Sequence, residues 1–210
     1  MERASSPVLA RPQQALSTRR PFVSGMTRLL YMEDPYTHRF SARVESVQGE
    51  WIELDETAFY PGGGGQEADA GTIGGLPVAE VKSKGAVLHR VPDHRFEVDQ
   101  TVECEVDWNR RYDLMKGHSG EHLLFSALSK RVPGLELVKI AVTPTKKSVV
   151  VKGAVTWSTI AEVQGEVNDL ISSGLEISER WVSRDDPGIE AVRAKLDRIH
   201  GERVRIVSIG

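Results

Sequence analysis

The sequence predicts an α+β protein, with a small β-barrel-like domain first and an α+β domain built on one long helix after it. Three observations carry this. From Thr27 to Val106, short apolar–polar segments follow one another, separated by glycine-bearing turns. At Asp107 the apolar period lengthens from that of a strand to that of a helix. Beyond Lys130, strand-like and helix-like stretches alternate up to Gly210.

Arg28-Leu29-Leu30-Tyr31 and Phe40 to Val47 alternate in places, and Trp51 to Asp55 follows the turn-prone Gly49. Gly71-Thr72-Ile73-Gly74-Gly75 marks a hairpin-like turn into Val78 to Val81, and Val87 to Val91 and Val102 to Val106 complete the series. Asp107 is a good N-cap, so Trp108 to Lys130 reads as a helix. Gly117 and Gly120 weaken that helix by about 1 kcal/mol each relative to alanine. Their tolerance suggests that something approaches the helix closely there. Val138 to Val142 and Ser148 to Lys152 read as a hairpin around Pro144. Thr159-Ile160-Ala161-Glu162 has capping-box spacing and opens a helix to Ser172, with Gly174 at the C-cap. Leu175 to Val182 is a strand, Asp186-Pro187 opens a further helix, and Arg203 to Ile209 is a final strand. The expected organisation is a disordered tail over residues 1–25, a β-barrel-like domain with the glycine-rich stretch over 26–106, and an α+β domain over 107–210.

The tail, Met1 to Gly25, is rich in Arg, Ser, Ala and Pro and has one acidic residue. It reads as disordered, or as a start counted too far upstream of Met26; an organelle-targeting leader has a similar composition. A net charge of -3 excludes a global electrostatic pull on nucleic acid, so such a partner needs a local basic patch. No apolar run reaches the roughly 20 residues of a membrane span. The single cysteine, Cys104, excludes an intrachain disulfide framework and fits a reducing cytoplasm.

Two motifs carry chemistry. His118 and His122 stand four apart in Lys116-Gly117-His118-Ser119-Gly120-Glu121-His122, so on a helix both imidazoles can point at one ion, half of a zinc site. Upstream, Phe59-Tyr60-Pro61-Gly62-Gly63-Gly64-Gly65-Gln66 is a loop almost without side chains. The histidine stretch also fits the H-x-x-E-H pattern of inverted zinc peptidases, with Glu121 as base. That reading leaves the glycine loop unexplained, and Glu121 is instead expected to face solvent. Arg110, Arg111 and Lys116 line the helix start, and Lys139, Lys146, Lys147 and Lys152 lie in a stretch without acidic residues, all placed for phosphate contact. An ordinary solvated face reads the same way for each. Cys104, His38, His89 and His94 read as ordinary core or surface residues, and His200 is the nearby substitute ligand to test.

With these residues in view, the chain resembles the free-standing alanyl-tRNA editing proteins (AlaX type) and the editing domain of alanyl-tRNA synthetase. Four places carry the match over residues 26–210: Met26 to Pro35; Phe59-Tyr60-Pro61 with Gly63-Gly64-Gly65-Gln66, Asp69 and Gly71; Val106 to Tyr112 with His118 and His122; and Glu166 to Ile171 followed by Val204 to Gly210. Gly62 departs from the pattern, which has a side chain such as Thr there. The family pattern also continues past its final strand into a Cys-Gly-Gly-Thr-His segment with the third and fourth zinc ligands, and this sequence stops at Gly210, which suggests a shortened form.

The resemblance implies zinc-dependent hydrolysis of the ester joining serine or glycine to tRNA for alanine. The chemistry is sensible, because an apolar pocket separates alanine poorly from its near-isosteres and a second site must remove the errors. It implies Zn2+ on His118 and His122, and the acceptor end of mischarged tRNA as partner. Gly63, Gly64, Gly65 and Gln66 then bind the substrate, with Gln66 as the catalytic residue orienting the terminal nucleotide or aminoacyl group. A non-catalytic tRNA-binding module is the alternative, since two ligands are missing from the sequence.

Overall fold

A computed structural model of the chain describes residues 27–189 and 202–210. The tail over 1–25, the body of the helix expected after Asp186 and His200 lie outside the described residues; a 3-10 turn at Pro187–Ile189 begins where that helix was expected.

The N-terminal strands form one sheet because their apolar residues alternate. Strands β2 (Arg39–Gln48), β3 (Trp51–Leu54), β5 (Gly71–Ile73), β6 (Leu76–Pro77), β7 (Glu80–Lys84), β8 (Ala86–Arg90) and β9 (Thr101–Val106) make a seven-stranded sheet in the order β6-β5-β9-β2-β3-β8-β7. Every neighbouring pair is antiparallel. On β9, Val102, Cys104 and Val106 point inward while Thr101, Glu103 and Glu105 face solvent. The register sets Phe40 opposite Cys104 and Ala42 opposite Val102, on the face that buries Ile52, Leu54, Phe59 and Ile73 completely. Each such side chain contributes about 1.5–3 kcal/mol.

The expected barrel is a ladder with two ends. Its end strands β6 and β7 are consecutive in the chain, joined by Val78 and Ala79, whose N–H groups donate to Gly71 O (2.9 Å) and Arg90 O (2.8 Å). A short pair, β1 (Arg28–Leu29) and β4 (Glu56–Thr57), runs parallel beside the sheet. Leu30 and Tyr31, expected in a strand, lie instead in a helical turn, α1 (Leu30–Glu33). It is closed by Asp34 N donating to Leu30 O at 2.9 Å and by Arg28 reaching Glu33, and it ends before Pro35, where a helix is disfavoured.

The long helix α2 (Trp108–Arg131) starts where the sequence places it, with the Asp107 carboxylate accepting from Arg110 N at 3.0 Å. The hairpin β10 (Glu136–Val142) and β11 (Lys147–Lys152) lies against it. The close approach expected at the helix glycines holds at one of them: a Cβ on Gly117 would lie 2.8 Å from Lys147 Cγ and 3.2 Å from Val142 Cγ1, whereas one on Gly120 meets nothing within 4 Å. Helix α3 (Trp157–Ser172) packs Val163 and Val167 against Ala127 and Leu128 of α2. Its cap is Thr156, not Thr159: Thr156 Oγ1 accepts from Thr159 N at 3.1 Å, and Glu162 pairs with Ser158. A last antiparallel pair, β12 (Ile177–Ser183) and β13 (Arg203–Ile209), has a small apolar cluster of its own. No helix among the described residues is long and apolar enough to cross a membrane.

Candidate functional site

The glycine run is a tight turn fastened on three sides. Gly63 and Gln66 exchange both backbone hydrogen bonds, each 3.0 Å. Gly64 and Gly65 between them have φ of 60° and 92°, the left-handed conformations of a two-residue hairpin loop, which glycine adopts without strain. The turn is stitched to the end of β10, with Val142 N donating to Gly65 O at 2.8 Å and Glu67 N donating to Val142 O at 3.0 Å. A Cβ on Gly65 would run into Ile140 at 2.8 Å, and one on Gly64 would lie 3.6 Å from His118 Cε1. Lack of side chains is what lets this backbone reach the helix. Beneath the turn, the Asp69 carboxylate accepts from Tyr60 N at 2.7 Å and from the Arg111 guanidinium, which also donates to Pro35 O and Ala58 O.

The turn meets α2 at the histidine pair. Gln66 Oε1 accepts from His118 Nδ1 at 2.8 Å. The carbonyl partner fixes the tautomer and leaves the Nε2 lone pair of His118 for an ion, the usual arrangement of a metal-ligating histidine. The two rings stack with centroids 5.1 Å apart and planes 12° from parallel. Burial, and then the neighbouring His122, hold His118 below its ordinary pKa of 6.5, which keeps it the neutral ligand a metal needs.

Between the histidines in sequence, Glu121 was expected at the solvent face. It is buried instead, 5% exposed, and both carboxylate oxygens lack a hydrogen-bond partner among the described residues. His118, Glu121 and His122 each bring one ligand atom within 4.8 Å of the others. Two imidazoles and an orphaned carboxylate fit a borderline cation such as zinc, which takes nitrogen and oxygen donors. The signal for Glu121 in the sequence is only its place in H-x-x-E-H; nothing local reports its burial.

The histidines open on a cavity of about 1210 Å³. Tyr31, Tyr60, Gln66 and Met115 line it on one side, and Ile177 and Ile206 of the last strand pair on the other. Tyr31 and Tyr60 meet edge to face at 5.5 Å, and Tyr60 Oη donates to Gly63 O at 3.2 Å. Tyr60 belongs to the glycine-rich motif, but neither tyrosine was given a role from the sequence.

The basic residues fare differently from one another. Arg111 is 3% exposed and closed on Asp69. A guanidinium sealed in this way is out of reach of a phosphate, so its place is that of a strut under the turn. Arg110 is half-buried and pairs with Glu67 at 2.9 Å and with Ala68 O. Lys147 pairs with Asp113. Lys116 and Lys146 are exposed, the former 5.0 Å over the Tyr112 ring. That ring stacks on Trp108 at 5.4 Å, and Trp108 meets Tyr36 at 5.6 Å, an aromatic ladder with Tyr112 and Tyr36 exposed at its ends. Cys104 lies in the sheet core with its thiol pushed up to about 12 by burial. His89 is wholly buried against Phe59, and His38 and His94 are held by backbone carbonyls near the surface.

A family model for class II (A) tRNA synthetases matches residues 27–110. Over 171 residues the chain is 32% identical to the alanyl-tRNA editing protein AlaX-M of Saccharolobus solfataricus, covering 77% of this chain and 71% of that protein. The chain belongs to the alanyl-tRNA editing protein family. AlaX-M of Pyrococcus horikoshii is 44% identical over 108 residues, 50% of each chain. The alanyl-tRNA editing protein Aarsd1 of Mus musculus is 31% identical over 175 residues, 82% of this chain and 42% of that protein. This family member thus spans half or less of the length of the last two relatives.

Proposed function

We propose that this chain hydrolyses the ester joining a wrong amino acid, serine or glycine, to tRNA for alanine, with zinc as its metal and the cytoplasm as its place of work. One observation carries the reading: the glycine turn and the histidine pair, far apart in sequence, meet through Gln66 and His118 at 2.8 Å on the wall of one cavity.

The turn at Gly63, Gly64 and Gly65 presents backbone to the aminoacyl end with no side chain in the way. Gln66 holds His118 with its carbonyl oxygen and borders the cavity where the terminal nucleotide is bound. His118 and His122 hold the metal, which when bound supplies Lewis-acid polarisation of a carbonyl and activation of water. A cavity that satisfies the hydroxyl of serine rejects alanine, which leaves such groups unpaired. Lys116 and Lys146 contact phosphates directly, and Arg110 and Lys147 do so by exchanging their carboxylate partners. The domain over 26–106 supplies the turn, and the one over 107–210 supplies the metal helix.

The test is single-turnover deacylation of Ser-, Gly- and Ala-tRNA(Ala) by the zinc-loaded chain, beside the His118→Ala/His122→Ala double variant. Faster cleavage of the seryl and glycyl esters than of the alanyl ester, abolished in the variant, supports the reading. Retained tRNA binding with no cleavage replaces it by the non-catalytic module.

A further inference from the structure

The first turns of α2 carry a row of aromatic rings that neither the histidine pair nor the glycine turn uses. Trp108, Tyr112 and Lys116 stand four apart, so they fall in one line along the helix. Tyr112 stacks on Trp108 with planes 20° apart, and Lys116 Nζ lies 5.0 Å over the Tyr112 ring. From the loop after α1, Tyr36 and His38 reach the same indole, with centroids 5.6 and 5.2 Å away. That loop is itself fixed. The Asp34 carboxylate accepts from Tyr36 N at 2.9 Å, and His38 Nδ1 donates to Tyr36 O at 3.0 Å.

At 6% aromatic the chain is poor in such rings, and tyrosine and tryptophan ordinarily bury their area, so three of them in one open row call for a function. Among the described residues Tyr36 is 57% exposed and Tyr112 42%, with Trp108 half-buried between them. Single exposed apolar residues need no explanation, whereas contiguous ones mark an interaction site. Packing between neighbours on a helix accounts for Tyr112 against Trp108. It does not account for Tyr36, which comes from a different element.

Three features define what the row takes. Flat rings stack on the faces of nucleobases of any sequence. A base-paired stem hides those faces, so the match is to unpaired nucleotides. Lys116 adds a mobile cation suited to their phosphates. Tyr36 belongs both to the row and to the wall of the cavity that holds His118 and His122, so the two surfaces are continuous. Tyr112 and His118 are six residues apart on α2, about 9 Å along its axis. Roughly two to three stacked nucleotides, at about 3.4 Å each, span that distance.

We infer that Tyr36, Trp108 and Tyr112 form a stacking platform for the unpaired nucleotides that precede the aminoacyl end of tRNA, with Lys116 leaving the Tyr112 ring for a phosphate. This rests on the reading that the aminoacyl end enters the cavity at the histidines, and it adds the grip that places it there. These rings position the substrate and touch no reacting atom.

Binding of uncharged tRNA(Ala) by the full zinc-loaded chain tests this without any activity readout. Two labelled forms are titrated by fluorescence anisotropy, one intact and one shortened by its unpaired 3′ nucleotides. Tyr36→Ala, Tyr112→Ala and Tyr112→Phe are compared with wild type, and thermal midpoints report folding. Leucine, apolar but without a ring, replaces alanine wherever alanine lowers the midpoint. Each ring-deleted variant is expected to bind intact tRNA at least about fivefold more weakly, while Tyr112→Phe stays within about twofold of wild type. The shortened tRNA should bind all four proteins alike. An equal loss for both tRNAs, no loss for either, or a loss in Tyr112→Phe as large as in Tyr112→Ala overturns the platform. Wild type that prefers intact tRNA yet releases no amino acid from seryl- or glycyl-tRNA sinks the deacylase reading and keeps the platform. Wild type that binds neither tRNA sinks both.

Discussion

Asp69 and Glu121 are buried to the same degree, 5% exposed each, one beneath the glycine turn and the other on α2. The difference lies in what meets them. Asp69 is saturated by the Tyr60 N–H and the Arg111 guanidinium; Glu121 has no hydrogen-bond partner among the described residues. Burial therefore does not separate a structural carboxylate from a functional one, whereas the presence or absence of a partner does. A satisfied buried charge locks a loop. An unsatisfied one, among the described residues, is left open to a further partner.

The contrast breaks first at Arg111. Arg111→Met leaves Asp69 charged and unpaired inside the protein, a change that costs about 3–5 kcal/mol at a buried ion pair. Urea unfolding at neutral pH measures it. A loss under about 1 kcal/mol would mean that Asp69 is no better provided for than Glu121, and the comparison would collapse.

Two imidazoles are lowered by burial. Burial pushes His89 down to about 4 from its ordinary 6.5, and its Nε2 is taken up by Thr57 Oγ1 at 2.9 Å inside the sheet; His118 is lowered by burial too, yet borders the cavity. For His89 the unfolded chain takes up its proton below about 6.5 and the folded chain only near 4. Its contribution is thus fully present above 6.5 and is lost as pH falls through that window, on the order of 3 kcal/mol in all. Unfolding free energies from pH 7 to 4 should show this slope, and His89→Gln should flatten it. An equal slope in the variant would mean that other groups govern acid stability.

How far the sequence disclosed this division depends on the residue. Strand β9 and the start of α2 were legible because alternation and the Asp107 cap are local signals. The family resemblance put Gln66 and His118 in one site, but their hydrogen bond was legible in no local pattern. The burial of Glu121 was hidden because the buried face of α2 is not an apolar stripe: it carries Arg111 and Glu121 beside Leu114, Phe125 and Leu128, and periodicity arguments read charged residues as solvent-facing. The α3 cap was misplaced by three residues because Thr156 and Thr159 both offer a hydroxyl, and only the chain direction before Trp157 decides between them.

Removing each charge sharpens the comparison through its sign. In chelator, Glu121→Leu deletes a charge that no lysine or arginine among the described residues offsets, so apo stability should hold or rise by about 1 kcal/mol, against the large loss at Arg111. A fall of more than about 2 kcal/mol on thermal or urea unfolding would show that Glu121 has a structural partner after all.

The smallest effect concerns how the turn is held against the site. Gly120 has open space around its missing Cβ, so Gly120→Ala should gain about 1 kcal/mol from helix propensity. At Gly117 the same methyl meets Val142, 1% exposed, and Lys147, which pairs with Asp113. The lysine can swing away, but Val142 cannot without moving Gly65, whose carbonyl it holds at 2.8 Å. Gly117→Ala should therefore gain nothing, and a loosened turn should slow the proposed deacylation in that variant while Gly120→Ala leaves it near wild type. Equal gains at both positions would mean that the hairpin yields freely, and that the glycine turn is held at His118 by Gln66 alone.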